Sequence, residues 1–109
     1  MTWIAVSAAI VFALGLLHLV FTFRGSKLLP RDRELRAQME HSTLVLTRET
    51  SVWKAWIGFN ASHSLGAILF GAVYGHLALV QPSVLASSPF LLAVGAVVLL
   101  AYSWLGRRY

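Results

Sequence analysis

His18 and His63 are the residues of this sequence best placed to do chemistry, because each imidazole sits inside a long apolar run. An imidazole can donate or accept a hydrogen bond, or ligate a metal. Polar and ionisable groups are costly in lipid, so within such a run they face protein, a cavity or a ligand. The run from Trp53 to His76 also carries Asn60, Ser62, Ser64 and Tyr74. At 100° per residue, Asn60, His63, Ser64, Ala67, Gly71, Tyr74, Gly75 and Ala78 share a sector of roughly 120°, and Trp53 and Trp56 point the same way. In the first run, Ser7, Val11, Leu14, Gly15, His18 and Thr22 share one side. His18 lies six residues before Arg24 and His63 nine residues past Lys54. At the helical rise these are depths of about 9 and 13 Å. Consecutive spans run antiparallel, so the two imidazoles are expected to face each other.

Three chemistries fit that pair. Neutral imidazoles bonded to each other, to Asn60, to Ser64 or to backbone carbonyls would set helix register. Alternatively, His18, Trp56, Asn60, His63, Ser64 and Tyr74 would line a site for a lipid, a quinone or a sterol-like molecule. In the third, His18 and His63 would be the axial ligands of a haem b. A further alternative is a channel or transporter protomer with Asn60, Ser64 and Tyr74 along the pathway. His76 points away from the stripe and His41 lies in a loop.

Much other chemistry is excluded. The chain has no cysteine, so thiolate metal sites and cysteine nucleophiles are ruled out. Beyond Lys54 the spans hold no Asp, Glu, Lys or Arg. No intramembrane carboxylate is therefore available for proton coupling, and no catalytic residue is assigned. Zinc motifs, phosphate-cradling glycine loops and nucleic-acid signatures are missing. A net charge of +5 does not point to nucleic acid, because every basic residue lies in 24–54 or at Arg107 and Arg108, beside apolar runs. Basic residues so placed are topology signals and contacts to anionic lipid.

The elements that must position the histidines follow from composition. The chain is 58% hydrophobic and 12% charged, against roughly 25% charged for a soluble domain. One all-α membrane domain is expected, with spans at about 2–23, 53–80 and 89–105 and a basic cytoplasmic segment at 24–52. The first span has no basic region before it and no small-residue cleavage site after it, so a retained helix is expected. The positive-inside rule puts the N-terminus outside and the C-terminus inside.

Pro30 is expected near the first turn of a loop helix. Leu35, Met39 and Leu46 would form its apolar stripe and lay it in the membrane interface. Arg48 and Glu49 are expected at the inner rim of the polar stripe, as a gate. Ser51 or Thr50 should cap the second span, while Gln81-Pro-Ser should end it. Gly15, Ala67, Gly71 and Gly75 should permit close helix packing, with Gly71 and Gly75 forming a GxxxG pair.

Leu46-Thr-Arg-Glu-Thr-Ser-Val-Trp53 and Trp56-Ile-Gly-Phe-Asn-Ala-Ser-His-Ser-Leu-Gly66 resemble a recurring segment of small uncharacterised bacterial polytopic membrane proteins. That resemblance implies a bacterial cytoplasmic-membrane protein and no particular activity. In size alone the chain is similar to small multidrug transporters, but their first-helix glutamate has no counterpart here. The combined expectation is a non-catalytic small membrane protein, acting as an accessory subunit or homo-oligomer in contact with membrane lipids. Its polar stripe would dock a helix or hold a lipid-like ligand.

Overall fold

A computed structural model describes residues 1–109. The chain is all-helical: α1 Thr2–Phe23, α2 Arg33–His41, α3 Val52–Val80, α4 Pro82–Ala86 and α5 Pro89–Arg108. Three helices, α1, α3 and α5, are long and apolar enough to cross a membrane. Only ten of 109 residues are buried, and Trp3, Phe59, Phe90 and Trp104 are among the large apolar side chains left outside. A water-soluble fold would hide such side chains, so the outer surface of the bundle is suited to lipid.

Caps and breakers set the helix limits. Ser51 Oγ accepts the Lys54 N–H at 3.2 Å and starts α3, and Ser88 Oγ accepts the Leu91 N–H at the start of α5. Pro89 occupies the first turn of α5, where its missing N–H costs nothing. After α1 the chain turns at Gly25, whose φ of +77° lies in the left-handed region that glycine enters freely.

Two expectations about the loops are corrected. The loop helix starts later than Pro30, because Asp32 takes the N-cap and accepts the Glu34 N–H at 2.9 Å. It also ends at His41, where Thr43 pairs with Ser51 in an isolated bridge and the Val52 N–H bonds the Ser42 carbonyl. Leu35 and Met39 share α2 and line a recess beside Trp56, whereas Leu46 falls outside the helix and is 90% exposed. The 81–88 segment is more than a break. Pro82 opens the single turn of α4, whose Leu85 is fully buried.

α1 and α3 are antiparallel and in close backbone contact, whereas α5 makes no comparable approach to either. Small residues explain the first pairing. A Cβ on Gly71 would sit 2.6 Å from Phe12 Cβ and 2.7 Å from the Ala8 carbonyl oxygen. One on Gly15 would meet Ile68 at 3.0 Å and Ala67 Cβ at 3.1 Å. These glycines let the two backbones touch, which is how helices associate where no hydrophobic force acts between them. Gly75 is looser, since a Cβ there would lie 3.7 Å from Ala8 Cβ. α5 instead reaches α3 through side chains. The Tyr74 hydroxyl donates to the Leu91 carbonyl at 2.6 Å, and its ring lies against Gly95.

Candidate functional site

The polar stripe of α3 divides along its length. From its middle to the α4 end, Ser64, Ala67, Gly71, Tyr74 and Ala78 are the buried residues of the helix. Tyr74 stacks on Phe70 with ring centroids 4.6 Å apart and helps line an apolar cavity of about 250 Å³ with Trp3, Ile4 and Leu85. Its hydroxyl is already bonded to α5. Tyr74 is thus a packing residue, remote from the two histidines.

Towards the basic loop the stripe carries a hydrogen-bonded chain. Asn60 Nδ2 donates to the Trp56 carbonyl at 2.9 Å, and Ser64 Oγ donates to the Asn60 carbonyl at 2.7 Å. His18 Nε2 meets Asn60 Oδ1 at 2.9 Å, and Thr22 Oγ1 donates to the His18 carbonyl at 2.8 Å. The direction of this chain is fixed by chemistry. A carbonyl can only accept, so the Asn60 amide must turn its NH₂ toward Trp56 and its oxygen toward His18. That oxygen also only accepts, so His18 carries its proton on Nε2. The Nδ1 of a neutral His18 is then a lone pair.

His63 stands beside this chain. Its ring meets that of His18 edge to face, with centroids 5.3 Å apart, and meets Tyr102 of α5 in the same manner at 5.4 Å. Neither His63 nor the Tyr102 hydroxyl has a hydrogen-bond partner within the protein. The three rings line a groove of about 460 Å³ between α1, α3 and α5, whose remaining walls include Val11, Leu14, Ala67 and Leu105. That volume lies in the range of small-molecule sites. Gly15 and Ala67 line it where α1 and α3 touch, and Gly106 keeps its α5 side open, since a Cβ there would meet no atom within 4 Å. Trp56 is not in this groove. It lines an open depression on the other flank of Asn60 and His63, and its indole N–H donates to the Leu28 carbonyl at 3.1 Å.

The expected site residues thus separate into three groups. His18, Asn60 and His63 come together, with Ser64 on the groove floor and its hydroxyl spent on the backbone. Trp56 and Tyr74 lie apart from them, on another flank and at the other end. Arg48 and Glu49 are exposed and form no ion pair with each other; the chain's ion pair is Arg36–Glu40 within α2. Tyr102 is the residue sequence reasoning missed as a site member. It was visible only as one of several aromatics near the end of the last span, and nothing in the local sequence ties it to His63.

The geometry also bears on haem. The rings of His18 and His63 touch directly, and His18 Nε2 is committed to Asn60. No slot for a porphyrin separates them, so the pair as arranged does not fit a haem held between two axial imidazoles. No group of three or more metal-ligating side chains is present. No protein-family model matches the chain, nor does any curated protein or solved structure.

Proposed function

We propose that this protein is a non-catalytic integral membrane protein that holds a lipid-like molecule in the His18–His63–Tyr102 groove. It would do so as a homo-oligomer or as a small subunit of a larger membrane complex. The observation that carries the reading is the unpartnered polar edge of the groove. His63, Tyr102 and one nitrogen of His18 have hydrogen-bonding capacity that the protein leaves unused. These groups are reachable from outside and stand among largely apolar walls, which favours a polar group from outside the chain as their partner. The helix-docking alternative is weakened because Gly15, Ala67 and Gly71 already serve the contact between α1 and α3. The channel alternative loses support for a similar reason, since the Ser64 and Tyr74 hydroxyls are both bonded to backbone.

The same reading places the protein in a bacterial cytoplasmic membrane with its N-terminus outside. The uncharged 81–88 turn and the basic 24–52 loop support that orientation. It also lays α2 in the interface. Arg36 packs over the Trp53 ring at 4.8 Å and Lys27 over Phe21 at 5.6 Å, the aromatic-and-cation pairing suited to that depth.

Native mass spectrometry of protein extracted in mild detergent, with an absorbance spectrum on the same sample, tests this. A defined lipid-sized mass on the chain, lost in His63→Leu, is the expected result. A chain that carries no added mass in any mild detergent, or a Soret band, would overturn it. Co-purifying chains would identify the complex.

A further inference from the structure

We infer that the groove selects an uncharged lipid that presents a hydroxyl, with His18 Nδ1 accepting the hydrogen bond from that hydroxyl. This rests on the ligand-binding reading above and names the chemistry of the ligand.

The groove carries no charged side chain in its lining: none of the residues there is Asp, Glu, Lys or Arg. A phosphate or carboxylate head seated among these side chains, inward of Arg107 and Arg108 at the end of α5, would have no countercharge in the lining, and burying an unpaired charge is costly. The polar head that fits is neutral.

The hydrogen-bond chain then sets its polarity. Asn60 is held by the Trp56 carbonyl, so it presents an acceptor to His18 and draws the imidazole proton to Nε2. His18 Nδ1 is left as a pure acceptor. It has no partner in the protein, and no sealed side-chain nitrogen or oxygen lacks one, so Nδ1 is reachable from outside. A pure acceptor is satisfied only by a donor. An ether, an ester or a ketone supplies none, whereas a hydroxyl does.

The neighbouring His63 ring completes the match. His63 and Tyr102 each offer a donor as well as an acceptor. A hydroxyl that gives its proton to His18 keeps two lone pairs on oxygen, and one of these can take an N–H from His63, whose ring lies 5.3 Å from that of His18. Tyr102 stands one ring further on, against His63, with its hydroxyl beside Gly66. The apolar walls, Val11, Leu14 and Leu105, suit the hydrocarbon attached to it.

The test uses the full chain in detergent micelles, labelled with ¹⁵N at histidine, with oleyl alcohol and oleyl methyl ether as probes. The two share a chain and differ in the single proton. The expected result is alcohol binding at least about tenfold tighter than the ether, the effect of one unpaired buried acceptor. The His18 Nδ1 resonance, unprotonated beforehand, should shift with the alcohol only. Gly106→Leu, whose added side chain enters open groove space, should abolish binding while the protein stays folded. Equal binding of alcohol and ether, both lost in Gly106→Leu, would overturn the hydroxyl proposal and leave the groove a ligand site. So would a His18 protonated at Nδ1 in the free protein. Binding of neither probe would overturn the ligand-binding reading and this proposal with it. Competition with dioleoylglycerol and with a long-chain benzoquinol separates two sources of such a hydroxyl. Displacement by either supports the proposal, and displacement by neither counts against it.

Discussion

Tyr74 and Tyr102 both stand between α3 and α5, one near each end of the bundle, and their surroundings differ. Tyr74 is 8% exposed, stacked on Phe70, pressed against Gly95 and bonded through its hydroxyl to the Leu91 carbonyl. Leu85 of the short helix α4 closes the space above it. Tyr102 has an edge contact to His63, a groove beside it and no partner for its hydroxyl. Both tyrosines bridge α3 and α5, but only Tyr74 does so with a hydrogen bond. Under the proposed function, this small bundle assigns stability to one end and ligand binding to the other. A satisfied polar group rigidifies its surroundings, while an unsatisfied one at a groove keeps its hydrogen-bonding capacity for a partner outside the chain.

The comparison can be broken most severely at the base of both ends, where α1 meets α3. Gly71→Leu forces a side chain into the Ala8 and Phe12 backbone. It should cost about 3 kcal/mol or more by overpacking. Unfolding by SDS titration from mixed micelles would read this loss, and an unchanged midpoint would mean that α1 and α3 are not packed as described.

Next comes Leu85→Ala, which opens a cavity at the sealed end alone. The expected loss is about 2 kcal/mol in the same titration. Ligand occupancy at the histidine end should survive. If occupancy fell in parallel with stability, the two ends would be one unit.

A matched pair of substitutions sharpens the contrast. Tyr74→Phe removes a made hydrogen bond and should lose about 1 kcal/mol. Tyr102→Phe removes a hydroxyl that the fold does not use and should stay within about 0.5 kcal/mol. Equal effects would erase the distinction between structural and binding tyrosine.

The smallest change expected is in Gly106→Leu, with stability within about 0.5 kcal/mol because its Cβ meets open space. Retained mass in native spectra should nevertheless disappear. A large loss of stability would show that α5 is held closer to α1 than the groove implies.

The one-dimensional pattern already determined the three long apolar helices, the starts of α3 and α5, and the antiparallel approach of His18 to His63, whereas α5 runs on to Arg108, past the expected end near 105. Apolar runs of that length have few other solutions in lipid, and Ser51, Ser88 and Pro89 mark helix starts by local hydrogen-bond chemistry that needs no partner. The face shared by Ser64, Ala67, Gly71 and Tyr74 was legible for the same reason, since helical periodicity is local. Other features belonged to tertiary structure. Periodicity put Tyr74 and His63 on one stripe, yet nothing in it says which part of that stripe meets α1, which meets α5 and which meets neither. Leu46 continued the α2 pattern on paper, but the Thr43–Ser51 bridge ended the helix first. Tyr102 joined His63 only because α5, fastened at Tyr74, also lays the ring near its far end against α3. Such a contact between residues 63 and 102 depends on how separate helices are placed, and helix placement is decided by which glycines and tyrosines fill the space between them.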